Sequence, residues 1–80
     1  MYASVVDVKP LDDFRLLVTF DNTERRMFDV GPYLGMGIFA QLRDLAKFRS
    51  VRVEFDTIAW SNGADIDPEV LYEDSIPLNQ

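Results

Sequence analysis

Residues 14 to 20, FRLLVTF, place Phe14, Leu16, Val18 and Phe20 at alternate positions. A period of two puts such residues on one face of a strand. Before it, Ser4-Val5-Val6-Asp7-Val8 is β-branched, and its strand is predicted to stop at Pro10, which has no N–H for a ladder. After it, Asp21-Asn22-Thr23 is polar turn material. Residues 24 to 30, ERRMFDV, then send Met27 to one face and Phe28 and Val30 to the other. Three sequential strands in an antiparallel meander are the economical reading.

Gly31-Pro32 ends the third strand, and the bend at Gly35-Met36-Gly37 leads into a different period. Ile38, Leu42 and Leu45 fall at i, i+4 and i+7, with Phe39 and Ala46 widening the stripe, while Gln41, Arg43, Asp44 and Lys47 face outward. This predicts one amphipathic helix of about two and a half to three turns whose apolar side covers the sheet. The period then reverts to two. Val51, Val53 and Phe55 alternate with Arg52 and Glu54; Asp56-Thr57 is the expected turn, and Ile58 and Trp60 continue on the far side. The order is β-β-β-α-β-β with a short helix to finish, an α+β fold in one domain over residues 1–80.

The stretch IAWSNGADIDPEVLYEDS, 58 to 75, concentrates a tryptophan, Asn-Gly, a proline and five carboxylates. A two-residue Asn62-Gly63 turn would set the Trp60 indole opposite the Asp65 carboxylate. A three-residue loop, Ser61-Asn62-Gly63, instead pairs Trp60 with Ala64 and Ile58 with Ile66, and puts glycine where a left-handed residue is needed. Apolar faces then match. Asp67-Pro68 reads as a helix start, with aspartate as N-cap, proline at the first helical position and Glu69 in the first turn. Val70 and Leu71 are expected to dock, and Pro77 follows the helix. Asp65, Glu73 and Asp74 have no structural task in this scheme.

Composition narrows the chemistry. With no cysteine and no histidine, disulfides and Cys/His metal sites are excluded, and the commonest general base and strongest nucleophile are missing. The core must come from the 48% apolar residues, including six phenylalanines. For so small a chain, dimerisation is a further source of burial. The net charge of −6 disfavours anionic lipid and nucleic acid. No apolar run reaches membrane-spanning length. The N-terminal MYASVVDVK lacks a basic segment followed by a long apolar one, so no signal peptide and a cytoplasmic location are expected. Charge is uneven: Arg43, Lys47, Arg49 and Arg52 stand mid-chain, whereas residues 62 to 80 carry Asp65, Asp67, Glu69, Glu73 and Asp74 and no base.

The run from Phe55 to Leu71, FDTIAWSNGADIDPEVL, resembles the signature of a bacterial family, domain of unknown function 2442. Val5, Val8, Pro10 and Leu11 are similar to its N-terminal pattern, as is Phe28-Asp29-Val30 followed by Gly31-Pro32-Tyr33-Leu34. The resemblance implies a small α+β domain, sometimes joined to a helix-turn-helix segment and often encoded beside another small protein, as in a toxin–antitoxin pair. It carries over no catalytic residue. No added DNA-binding segment is expected, so partner binding is the implication that survives.

The functional expectation is a non-enzymatic protein–protein interaction module of a small two-protein or regulatory system, without cofactor or bound metal. Its partner is expected to be another small protein of basic surface, with a homodimer as a further form. The candidate contact residues are Trp60, Asn62, Asp65, Glu69, Glu73 and Asp74, although an aromatic at a strand position is ordinarily core. The alternative is a metal-assisted enzyme using Asp65, Asp67 and Glu69, which are spaced like oxygen ligands. However, the run does not match an EF-hand loop, and Pro68 breaks the strand that would align them. Nucleic-acid contact through Arg25 and Arg26, or through the mid-chain bases, is not expected of so acidic a chain.

Overall fold

The alternation of Leu16, Val18 and Phe20 becomes strand β2 (Arg15–Phe20), and all three side chains are buried. In the computed structural model, which describes residues 3–78, β2 lies between β1 (Val5–Pro10) and β3 (Arg25–Asp29), both antiparallel to it. This is the expected meander. Val5 faces Phe20 and Val8 faces Val18, but a bulge between Val5 and Asp7 leaves Val6 exposed. The strand expected from Phe14 begins one residue later. Asp12–Phe14 forms a 3-10 turn in which Asp13 (φ 61°) and Phe14 (φ 59°) are both left-handed. That conformation costs a non-glycine residue about 1–2 kcal/mol. Phe14 recovers part of this through an edge-on contact with Phe48, ring centroids 5.2 Å apart.

The single amphipathic helix expected over 38–46 is instead two pieces. Gly37–Arg43 is 3-10, Asp44 is extended (ψ 116°), and α1 (Leu45–Phe48) is one α-turn. The break has a cause in Asp44: its Oδ1 accepts from Ala46 N at 2.9 Å, capping α1 and ending the segment before it. The apolar stripe changes accordingly. Leu42 and Phe48 are buried and Phe39 packs against the core, whereas Ile38 and Leu45 are 42% and 55% exposed.

The second sheet has the order β4 (Arg52–Glu54), β5 (Thr57–Ala59), β6 (Asp65–Ile66). Val53 pairs with Ile58 and Glu54 with Thr57, so the turn is Phe55-Asp56, one residue earlier than expected. Phe55 sits there at φ 55° and is 91% exposed. The three-residue loop is present as predicted. Ile58 pairs with Ile66, Trp60 N donates to Ala64 O at 2.9 Å, Gly63 N donates to Trp60 O at 3.0 Å, and Gly63 takes φ 92°. Helix α2 (Pro68–Asp74) starts at Asp67, whose Oδ1 accepts from Glu69 N at 2.8 Å. Its Leu71 is fully buried, while Val70 stays 36% exposed.

A strand that the pattern did not predict, β7 (Ile76–Pro77), returns to the first sheet beside β3, giving the order β1-β2-β3-β7. One core serves both sheets. Leu16, Val18, Phe20 and Phe28 from the first meet Ile58, Trp60 and Ile66 from the second, with Leu42, Phe48 and Leu71 from the helical segments. Each such side chain contributes about 1.5–3 kcal/mol of burial. Val5 N also donates to Asp56 O at 3.1 Å, tying β1 to the β4–β5 turn.

Candidate functional site

Period two puts Arg26 on the same face of β3 as Phe28, so a guanidinium points into the protein opposite Val18. It is satisfied there. Nε donates to Ser75 Oγ at 2.7 Å, one terminal nitrogen to Ser75 O at 2.9 Å, and the other to Glu24 Oε1 at 2.6 Å. The guanidinium also lies 4.3 Å from the Tyr72 ring centroid, a cation–π distance. Tyr72 OH donates to Glu24 Oε2 at 2.5 Å, and Ser75 Oγ donates to Tyr72 O at 2.9 Å. This hub fastens the end of α2 and the start of β7 to β3. The hydrogen bond from Tyr72, and then that from Arg26, hold the Glu24 carboxyl below its usual range. The reciprocal bond to Glu24 raises the Tyr72 phenol. Arg26 is thus a structural residue, while Arg25 beside it is exposed.

The predicted contact residues divide. Trp60 is 1% exposed, its Nε1 donates to Phe48 O at 3.0 Å, and it meets Phe39 edge-on. It belongs to the core. Asn62 is a bracket: Oδ1 accepts from Ala64 N at 3.1 Å, while Nδ2 donates to Ile38 O at 3.3 Å and Gln41 Oε1 at 3.1 Å. It locks the hairpin loop onto the 3-10 segment. Asp65, Glu69, Glu73 and Asp74 are all exposed. Glu69, Val70, Glu73 and Asp74 form the outer face of α2, with Leu71 on the buried side.

Asp74 leads to something the sequence pattern did not reveal. A cleft of about 330 Å³ opens between α2 and the Gly31–Tyr33 turn, lined by Phe28, Asp29, Pro32, Tyr33, Met36 and Asp74. Met36 is 50% exposed at its edge. Tyr33 OH donates to Asp74 Oδ2 at 3.4 Å. Burial, and then the negative charge of Asp74, raise the Tyr33 phenol above its ordinary value. Asp29 Oδ1 accepts from Gly31 N at 2.8 Å. Apolar and aromatic walls beneath two carboxylates suit the aliphatic stem and charged head of a Lys or Arg side chain. A second, larger cleft of about 580 Å³ is lined by Leu11, Asp12, Asp13, Phe14, Arg43, Leu45 and Arg49.

Asp65, Asp67 and Glu69 do not assemble into a metal centre. Asp67 is engaged as the helix cap, and among the described residues no group of three Asp or Glu side chains is placed to hold an ion. The acidic segment does not pair with the mid-chain bases Arg43, Lys47 and Arg49, which make no ion pair among the described residues. The recorded pairs are Arg15–Asp13, Arg26–Glu24 and Arg52–Glu54. Among those residues, no helix is long and apolar enough to cross a membrane.

Two antiparallel sheets around one core, with an acidic helix face beside an apolar cleft, define a small α+β domain whose distinctive chemistry lies on its surface. The family model described as "Protein of unknown function (DUF2442)" matches residues 5–77, and the chain belongs to that family. Comparison with curated proteins and with solved structures gave no match.

Proposed function

We propose that this chain is a non-enzymatic, cytoplasmic protein-binding module of a small bacterial two-protein or regulatory system, and that it engages its partner through the outer face of α2 and the adjoining Tyr33 cleft. The observation that carries this reading is Asp74, which belongs both to the acidic face of α2 and to the lining of the cleft. A continuous surface thereby joins carboxylates to an apolar recess. The partner surface that fits is basic, with a Lys or Arg side chain seated against Tyr33 and Met36 between Asp29 and Asp74. Opposite charge steers encounter, and the recess supplies the desolvated anchor that fixes the complex. Helix α2 itself carries no Lys or Arg.

Affinity capture from the native host, with the Glu69→Lys/Asp74→Lys chain as control, tests the proposal. One stoichiometric basic protein is expected on the unmodified chain and not on the control, with both chains giving the same thermal melt. Equal capture by the two chains would overturn it.

A further inference from the structure

We infer that the larger cleft is a self-association surface, through which two copies of this chain pair about a two-fold axis. One wall is the β1–β2 connection with Leu11, Asp12, Asp13 and Phe14; the other carries Arg43, Leu45 and Arg49. No ion pair joins the two walls among the described residues. Asp13 pairs at 3.6 Å with Arg15 on its own side, and Arg43 and Arg49 have no ion pair or side-chain hydrogen bond among the described residues. Each wall also carries an exposed leucine: Leu11, 36% exposed, on the acidic side, and Leu45, 55% exposed, on the basic side where the expected helix broke. The acidic wall rests on the left-handed backbone of Asp13 and Phe14, local strain of the kind that folds retain at recognition surfaces.

A two-fold interface sets a patch against itself, so residue i meets j and j meets i. A patch of one sign repels its copy. Here rotation brings Asp12 and Asp13 of one copy to Arg43 and Arg49 of the other, twice per dimer, with the leucines alongside. A ligand of a single sign would satisfy only one wall, whereas a second copy, which carries both signs, satisfies both. The net charge of −6 per chain opposes pairing. At physiological salt, repulsion beyond a screening length of about 8 Å is largely removed, while pairs in contact keep their attraction. The surface shares no residue with the α2 face, so this inference and the proposed partner contact stand or fall separately.

Sedimentation velocity at physiological salt, up to millimolar protein, tests the pairing. The unmodified chain is expected to dimerise. D12K/D13K opposes bases to bases and R43E/R49E opposes acids to acids, so each alone should raise the dimer dissociation constant by at least about tenfold. Mixed in equal amounts, the two variants should form a heterodimer, because both sets of contacts are then complementary. The four-fold variant D12K/D13K/R43E/R49E should recover the homodimer and checks that the single-wall variants fold. A monomeric unmodified chain, a dimer indifferent to either charge reversal, or folded variants that fail to complement would overturn the inference.

Discussion

Arg26 and the pair Arg43–Arg49 are the same side chain in opposite circumstances. Arg26 points inward from β3, and Glu24, Ser75 and the Tyr72 ring occupy its donors and one face. Arg43 and Arg49 stand exposed on the rim of an open cleft and make no ion pair among the described residues. The difference separates polar chemistry that holds the fold from polar chemistry the fold leaves available. A cation turned inward, as the 12% exposed Arg26 side chain is, must be partnered, because leaving it unpaired is costly. An exposed one carries no such requirement and can be kept for another molecule.

The sharpest way to break this comparison is to remove each side chain in turn. Arg26→Ala removes three hydrogen bonds and the cation–π contact, leaving Ser75 O and Glu24 Oε1 without the guanidinium, and should cost about 2–4 kcal/mol in urea unfolding. Arg43→Ala and Arg49→Ala should each stay within about 0.5 kcal/mol of the unmodified chain. Equal effects at the three positions would remove the distinction. Asn62 belongs with Arg26 despite its surface address. Asn62→Ala frees the hairpin loop from Ile38 and Gln41, and a loss of about 1–2 kcal/mol is expected by the same measurement.

Phe55 belongs to the other class. It is almost wholly exposed at φ 55°, a conformation that asparagine tolerates better. Phe55→Asn should therefore stabilise the domain by about 0.5–1 kcal/mol, visible as a higher melting temperature. A loss of stability would show that Phe55 has an unrecognised role in the fold.

The smallest effect is on pH. The hydrogen bonds from Tyr72 and Arg26 lower the Glu24 pKa, so the folded chain binds this proton less readily than the unfolded chain. The stability it adds is fully present above the ordinary carboxylate range and is lost as pH falls through the depressed value. Urea midpoints measured from neutral pH downward should fall less steeply in Glu24→Gln than in the unmodified chain. Parallel acid limbs would show that the hub does not depend on the charge of Glu24.

How far the fold was legible depended on the range over which each signal acts. The Leu16–Val18–Phe20 alternation, the Ser61–Gly63 loop and the Asp67-Pro68 helix start are local chemistry, and all three appear as read. Where two local signals competed, the period misled. The Ile38–Leu42–Leu45 spacing suggested a continuous helix, but Asp44 capped a new turn and left Ile38 and Leu45 outside. β7 has two residues, one of them proline, and so carries no period at all. The hub joins positions nearly fifty residues apart; the alternation that buries Phe28 also turns Arg26 inward, a signal that the reading of Arg26 only as a nucleic-acid contact left unused. Of the candidate contacts, Asp65, Glu69, Glu73 and Asp74 lie on the surface. Trp60 and Asn62 were drawn in by sequence proximity to them, and packing assigned both to the fold. The Tyr33 cleft assembles from β3, a 3-10 turn and α2, a juxtaposition no single stretch records.

The most direct test of the account is a capture from the native host run with three chains side by side: unmodified, Glu69→Lys/Asp74→Lys, and R43E/R49E. The α2-face chain alone is expected to lose the partner, while R43E/R49E retains it. A partner held by the α2-face chain, or lost only from R43E/R49E, would contradict the assignment of the binding surface.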